Sequence, residues 1–213
     1  MMRVGIFGGT FDPPHIGHMV LAADALDQLR LDLLLWVLTP VPPHKQGNPI
    51  SPLDQRLELV KAAIESEAHF RLSRVEMDRP GPHYAVDSVR LLREQYPKAE
   101  LIYLIGGDSL RDLPIWYRPG EFLQQITELG VMCRPGAQFD MGKLESQLPG
   151  ITEKVQMIDA PLLDISSSDI RQRIAQGKSF RYFLPPPVFD LILQNRYYHQ
   201  SVHSESTNAD RSP

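Results

Sequence analysis

This 213-residue sequence has a single cysteine and lacks long apolar runs and an excess of positive charge. Cys133 is its single cysteine, which excludes an intrachain disulfide and a metal site made of thiolates, and which fits a reduced compartment. The sequence has no run of 18 apolar residues and no charged-then-apolar leader, so we expect a soluble, cytoplasmic protein without a membrane partner. A net charge of −4 argues against nucleic acid as its main partner.

The rest of the composition is typical of one globular domain, with 42% hydrophobic and 23% charged residues. Short apolar segments alternate with amphipathic ones, which predicts an α/β fold with a Rossmann-like, doubly wound parallel sheet. The predicted strands cover 2–7, 33–38, 101–105, 130–133 and 155–158, with 70–75 as a further candidate, and the predicted helices cover 16–26, 52–65, 84–94 and 167–176. We place a single domain in residues 1–198 and expect residues 199–213, which are polar and aperiodic, to form a disordered tail.

Residues 8–18 form a predicted turn whose residue types indicate a ligand-binding site. Their sequence is Gly-Gly-Thr-Phe-Asp-Pro-Pro-His-Ile-Gly-His. The turn follows a predicted strand that ends at Phe7 and precedes a helix that begins near Ile16, which is where open α/β sheets bind their ligands. Gly8 and Gly9 allow a phosphate to approach the backbone amides, and the helix start adds partial positive charge.

Two histidines add hydrogen-bond donors to this turn. His15 and His18 are three residues apart, so in a first helical turn their side chains share one face. Neutral imidazole and imidazolium can both bind phosphate oxygens, and such donors matter most where negative charge develops in a transition state. A single histidine in a turn is commonly a cap or a surface residue, whereas the pair downstream of two glycines favours an anion site.

The turn resembles the signature of small adenylyltransferases, G-G-x-F-x-P-x-H-x-G-H, at every fixed position. Its last four residues, 15–18, also resemble the HIGH element of class I aminoacyl-tRNA synthetases. Both families hold ATP so that an oxyanion attacks the α-phosphate and pyrophosphate leaves. The motif alone does not choose between them, but a synthetase needs considerably more chain for its tRNA contacts.

A second chemical element is residues 165–171, Ile-Ser-Ser-Ser-Asp-Ile-Arg. The structural interpretation is a helix start with Ser167 or Ser168 as its N-cap. The functional interpretation is that amides, hydroxyls and Arg171 converge on the β and γ phosphates of ATP. The segment resembles the I-S-S-x-x-I-R element of the small adenylyltransferases and stands where a synthetase carries a lysine-rich loop.

Two further segments concern the second substrate, whose phosphate attacks ATP and accepts its AMP part. The loop 40–45 resembles the proline-rich His-Lys loop of bacterial nicotinate mononucleotide adenylyltransferases, which implies that His44 and Lys45 meet the mononucleotide phosphate. Asp108, after a strand that ends in Gly-Gly, can accept hydrogen bonds from ribose hydroxyls. Trp116 is either a core residue or, as the resemblance implies, the platform that stacks on the nicotinate ring.

Residues 83–88 depart from the family pattern S-Y-T-x-D-T, because His83 and Ala85 lack the expected hydroxyls. In the family this helix start receives the carboxylate of the substrate. Backbone amides of Tyr84 and Ala85 can bind an anion whatever the side chain is, but a need for the missing threonine hydroxyl would weaken the preference for the acid over the amide.

The resemblance spans residues 2–187 and implies a nucleotidyltransferase-type domain that is a nicotinate-nucleotide adenylyltransferase of NAD biosynthesis. It would join nicotinate mononucleotide to the AMP part of ATP by direct in-line attack, with Mg²⁺ bridging the phosphates and no protein metal ligand that we name. The alternatives are an adenylyltransferase for nicotinamide mononucleotide or phosphopantetheine, and a non-catalytic nucleotide-binding regulator. The sequence does not decide the oligomeric state, and a homo-oligomer stays open.

The expected site residues fall into three groups. The catalytic residues are His15, His18 and Arg171. The ATP-binding residues are Gly8, Gly9, Thr10, Phe11, His15, His18, Gly106, Asp108, Ile165, Ser167, Ser168 and Arg171. The mononucleotide-binding residues are His44, Lys45, Tyr84, Ala85, Asp108 and Trp116.

Overall fold

The computed structural model describes residues 1–42, 50–132, 139–161 and 163–199. The predicted phosphate contacts His44 and Lys45, as well as Cys133, lie outside the described residues. So does almost all of the predicted tail, of which only His199 is described. No helix in the described ranges is long and apolar enough to cross a membrane.

The described residues form a parallel sheet of six strands in the order β3-β2-β1-β4-β5-β6. The order reverses between β1 and β4, so the connections leave this point in opposite directions and open a crevice beyond the carboxyl ends of the two strands. The strands are β1 (Arg3–Gly9), β2 (Leu33–Leu38), β3 (Phe70–Ser73), β4 (Glu100–Gly106), β5 (Glu128–Met132) and β6 (Val155–Ile158).

Helices cover both faces of the sheet. The helices on one face are α1 (Ile16–Gln28), α2 (Leu53–Ile64), α8 (Ser167–Ala175) and α9 (Pro186–Asn195). Those on the other face are α3 (Ala85–Gln95), α4 (Gly107–Asp112), α5 (Pro119–Gln125), α6 (Met141–Gln147) and α7 (Ile151–Lys154). Short 3-10 turns lie at Leu113–Ile115 and Arg181–Phe183.

Strand β2 shows why the sheet needs both layers. Every residue of its Leu-Leu-Leu-Trp-Val-Leu sequence is buried. Side chains alternate across a strand, so Leu35 packs into the cluster beside α3 while Trp36 packs into the cluster beside α2. A strand buried on both faces reads as a continuous apolar run, which is how it was recognisable in the sequence.

The predicted doubly wound α/β domain is confirmed, and each predicted strand is present with ends that differ by at most two residues; 33–38 and 155–158 match without any difference. The strand predicted over 70–75 ends at Ser73, and the strand predicted from Gly130 begins at Glu128. The predicted helices are also present, but α4, α5, α6, α7 and α9 were not predicted. The first four of these are only 4 to 7 residues long, which is shorter than the window of about 11 residues or more over which an apolar stripe can be recognised in a sequence.

Candidate active site

The crevice at the reversal point is lined by the ends of β1 and β4 and by the helices that follow them. Phe7 of β1 pairs in register with Leu104 of β4, so the glycines at the two strand ends lie on the same edge of the sheet. Gly106 is the N-cap of α4. The crevice therefore presents the amino ends of α1 and α4 from neighbouring strands; the sequence predicted the first of these helix starts and not the second.

The two histidines stand at the start of α1. His15 is the N-cap and only 5% exposed, and its ring stacks on that of His18 with centroids 3.7 Å apart. The backbone N–H of His15 donates to Nδ1 of His18 over 3.2 Å. Because Nδ1 of His18 accepts, the neutral ring carries its proton on Nε2.

The glycines of the motif also make room for its aromatic and imidazole rings. A Cβ on Gly9 would lie 2.9 Å from Cζ of Phe11, and one on Gly17 would lie 3.1 Å from Nδ1 of His15. Phe11 has a left-handed φ of 46° and packs its buried ring against Trp36, with centroids 4.9 Å apart. Gly9 and Gly17 are therefore needed for packing, a reason that the sequence analysis did not find.

Arg56 of α2 fixes the loop from beneath. Its guanidinium donates to four backbone carbonyl groups, which belong to Thr10, Thr39, Pro40 and Ser51. The residue is only 1% exposed, and burial lowers the pKa of its guanidinium while the nearby Asp12 opposes that shift. Sequence reasoning missed Arg56, although its position three residues after Leu53 on the apolar face of the helix was the available signal.

Asp12 contacts three other parts of the site. Its side chain, on a residue that is 4% exposed, accepts from the Tyr198 hydroxyl at Oδ1 (2.9 Å) and from the Ser51 backbone N–H at Oδ2 (3.1 Å). Its backbone carbonyl accepts from Nη1 of Arg171 over 2.6 Å. Asp12 and Tyr198 were not predicted as site residues, and their separation of 186 residues leaves no local signal of the contact.

Helix α8 docks directly on the motif loop. The hydroxyl of Ser167 donates to the Pro13 carbonyl over 2.8 Å, one residue beyond the carbonyl that Arg171 contacts. Ile165 lies on the same side, with its Cβ 3.9 Å from the position that a Cβ on Gly17 would take. The two motifs that the sequence singled out are therefore in direct contact.

The prediction that Ser167 or Ser168 caps α8 is wrong by one residue. Ser166 is the N-cap, since its extended backbone (φ −127°, ψ 149°) precedes the helix and its hydroxyl accepts from the Asp169 N–H over 3.1 Å. The hydroxyl of Ser168 lies 2.9 Å from that of Ser166. The shift matters because it allows Ser167 to contact the motif loop instead of its own helix.

On the acceptor side, Trp116 belongs partly to the core. Its ring packs against Phe122 and edge-on against Tyr103, with centroids 5.6 and 6.4 Å apart, and the residue keeps an intermediate exposure. Asp108 in the first turn of α4 has a side chain that is 71% exposed and forms an ion pair with Arg111. The structure places both residues beyond β4, and their contacts with a substrate remain predictions.

Tyr84 and Tyr117 form an aromatic stack between α3 and the segment that follows Trp116. Their rings are 4.2 Å apart at 24°, and the Arg118 guanidinium lies 5.2 Å from the Tyr117 centroid. Tyr84 is the N-cap of α3 and Ala85 its first residue, which confirms the predicted helix start. Tyr117 was not singled out in the sequence, where it is simply the neighbour of Trp116.

A buried polar cluster supports the start of α3 from below. Ser88 donates to Oε1 of Glu76 over 2.6 Å, and Arg79 donates to the Ser88 hydroxyl and to the Pro82 carbonyl. Burial raises the pKa of Glu76 above its ordinary value. Burial and the positive charge of Arg79 lower the pKa of His83, so its neutral form is favoured.

No group of three or more potential metal ligands occurs within the described ranges. Both carboxylate oxygens of Asp12 already accept hydrogen bonds from the protein, and Asp108 is the carboxylate that stands at the edge of the crevice. Such a set does not form a protein cage for a cation, but it suits an ion that is carried mainly by phosphate oxygens and water, as Mg²⁺ commonly is.

Comparisons with known proteins identify the family of the chain. The sequence model of the cytidylyltransferase-like family matches residues 6–173. A probable nicotinate-nucleotide adenylyltransferase of Thermomicrobium roseum is 42% identical over 93% of this chain and 92% of its own length. The nicotinate-nucleotide adenylyltransferase of Bacillus subtilis is 38% identical over 93% of this chain and 99% of its own.

The fold is also found in solved structures. Plasmodium falciparum nicotinic acid mononucleotide adenylyltransferase, complexed with NaAD, superposes with a TM-score of 0.75 over 93% of this chain and 98% of its own, at 17% identity. A structural similarity at such a low sequence identity supports the shared fold alone, whereas the sequence matches support membership of the family. The chain therefore belongs to the cytidylyltransferase-like family, and within it to the nicotinate-nucleotide adenylyltransferases.

Proposed function

We propose that this protein transfers the AMP part of ATP to nicotinate mononucleotide and releases pyrophosphate, giving nicotinate adenine dinucleotide. The observation that carries the proposal is the docking of α8 on the motif loop, through Ser167 to Pro13 and Arg171 to Asp12. This contact brings a histidine pair, a helix start and a guanidinium to one crevice. A site of that kind suits a triphosphate whose outer phosphates leave together.

On the ATP side, His18 donates from Nε2 to a phosphate oxygen and His15 lies against it in the stack. Arg171 and the hydroxyls of Ser167 and Ser168 meet the outer phosphates and stabilise the charge of the departing pyrophosphate. Gly8, Thr10 and Phe11 shape the loop, Gly106 lets the nucleotide approach β4, and Ile165 borders the same side. The attack is in line by the mononucleotide phosphate, so positioning and electrostatic stabilisation supply the catalysis and no enzyme nucleophile is needed.

Mg²⁺ supplies charge neutralisation between the phosphates when ATP is bound. The chain contributes the surrounding donors rather than a set of metal ligands.

On the acceptor side, the exposed part of Trp116 stacks on the pyridine ring, and the amides of Tyr84 and Ala85 at the start of α3 receive its carboxylate. Asp108 accepts from a ribose hydroxyl. His44 and Lys45 neutralise the mononucleotide phosphate. Because Ala85 offers no hydroxyl, the acid is selected over the amide by the helix start and not by a side chain.

One comparison tests the substrate. Pyrophosphate release is measured with ATP and Mg²⁺ and with nicotinate mononucleotide, nicotinamide mononucleotide or phosphopantetheine as acceptor, with Ala85→Thr assayed in parallel. We expect fastest release with the acid and a stronger preference for it in Ala85→Thr. Equal rates with acid and amide, or fastest release with phosphopantetheine, would refute the substrate. ATP binding without release with any acceptor would instead support a non-catalytic regulator.

A further inference from the structure

The last described turn of the chain reaches back to the motif loop. Tyr198 follows α9, and its hydroxyl donates to Oδ1 of Asp12 over 2.9 Å. Its backbone is left-handed, with a φ of 66°. A non-glycine residue persists in that conformation only where the surroundings hold it, which here are the packing of its ring and its contact with Asp12.

The hydroxyl of Tyr198 keeps its proton, so it remains a hydrogen-bond donor to Asp12. Burial, followed by the charge of Asp12, raises the pKa of Tyr198, so it remains protonated throughout the neutral range. With Ser51 donating to the other oxygen, both carboxylate oxygens of Asp12 are occupied by donors that carry no charge.

The hydrogen bonds to both oxygens of Asp12 affect how strongly its carboxylate attracts Arg171. Nη1 of Arg171 lies 3.8 Å from Oδ2 of Asp12, beyond hydrogen-bond distance, while it donates to the Asp12 backbone carbonyl over 2.6 Å. A buried carboxylate that lost a donor would gain most by turning to the nearest cation. The guanidinium would then be neutralised by the protein and would attract a phosphate less strongly.

We propose that Tyr198 is a positioning residue of the ATP site, which keeps Asp12 from closing its loose 3.8 Å ion pair with Arg171 into a direct hydrogen bond and so leaves most of the charge of Arg171 to the outer phosphates of ATP. The proposal rests on the proposed function only in assigning Arg171 to those phosphates. It does not depend on which acceptor is adenylylated.

Tyr198→Phe tests this, because it removes one oxygen and keeps the ring. The matched control is Tyr197→Phe, which makes the same change one residue away, where the hydroxyl donates to Glu58 on the surface of α2 instead. The dissociation constants of ATP and of AMP are measured by calorimetry well below the unfolding temperature. AMP lacks the outer phosphates, so it reports on the rest of the site.

We expect Tyr198→Phe to weaken ATP binding about tenfold and AMP binding less than about twofold, and Tyr197→Phe to change neither. Equal weakening of ATP and AMP, unchanged ATP binding with a lower unfolding temperature, or the same loss in Tyr197→Phe would overturn the proposal. Absence of pyrophosphate release from the wild type would instead refute the proposed function, and the ATP and AMP constants would still decide the role of Tyr198.

The double variant Tyr198→Phe with Asp12→Asn provides a rescue. Without its charge, residue 12 no longer draws Arg171 into a hydrogen-bonded ion pair, so ATP binding should return to within about threefold of the wild type. A persistent tenfold loss would contradict the mechanism. The same double variant supplies the test if Tyr198→Phe alone does not fold.

Discussion

Replacing Arg56 by methionine is the sharpest test of how the motif loop is held. Methionine fills much of the same volume, but it leaves four backbone carbonyls without their donor and removes one of the positive charges near Asp12. A buried polar group that loses its partner costs about 1–3 kcal/mol, and water can reach some of these carbonyls once the guanidinium is gone. Four such carbonyls, some of them rehydrated, together with the lost attraction to Asp12, add up to about 3–5 kcal/mol.

We therefore expect Arg56→Met to lower the free energy of unfolding by about 3–5 kcal/mol. For a domain of this size that corresponds to a fall in Tm of about 6–20 °C. The control is Arg74→Met, because Arg74 makes only an exposed i,i+4 ion pair with Asp78 and its loss should cost about 0.5 kcal/mol or less. Urea and thermal denaturation of the variants measure both. A loss below about 1 kcal/mol in Arg56→Met would refute the reasoning, since it would mean that the four hydrogen bonds contribute little net stability.

Three further predictions concern single groups. His18→Ala should lower turnover by about 100-fold or more while the circular dichroism spectrum stays unchanged, and near-normal turnover would contradict its role as a donor. Gly9→Ala should destabilise by about 1–3 kcal/mol in denaturation, because its Cβ would lie 2.9 Å from the Phe11 ring; an unchanged midpoint would show that the ring can move. Because the pKa of Glu76 is raised in the folded state, the folded protein holds the proton of this carboxyl group more tightly than the unfolded chain does. The stability that comes from this difference is fully present at low pH and is lost as the pH rises through the raised pKa. Denaturation from pH 4 to 8 should then show that the free energy of unfolding of Glu76→Gln rises relative to that of the wild type as the pH increases. Parallel curves of stability against pH for the two proteins would exclude this linkage.

The sequence predicted the parts of the fold and site that have a local pattern. β2 is recognisable because buried strands are continuously apolar, and the turn with His15 and His18 is recognisable because its residue types are unusual at that spacing. The contact between Asp12 and Tyr198 could not be predicted, because a hydrogen bond across 186 residues depends on the path of the whole chain. The cap of α8 was misplaced for a related reason: three serines in a row are equivalent locally, and the docking of Ser167 on Pro13 decides among them.

The aromatic ring of Phe11 has a consequence for the kinetics of nucleotide capture. Its burial against Trp36, together with Arg56 beneath the loop, means that the loop loses its conformational entropy when the protein folds and not when ATP arrives. Under the proposed assignment of ATP to this loop, the nucleotide would meet a surface that needs little further ordering. Substitutions that loosen the packing at Trp36 lie away from the phosphates, yet they should lower the association rate of ATP and shorten its residence time.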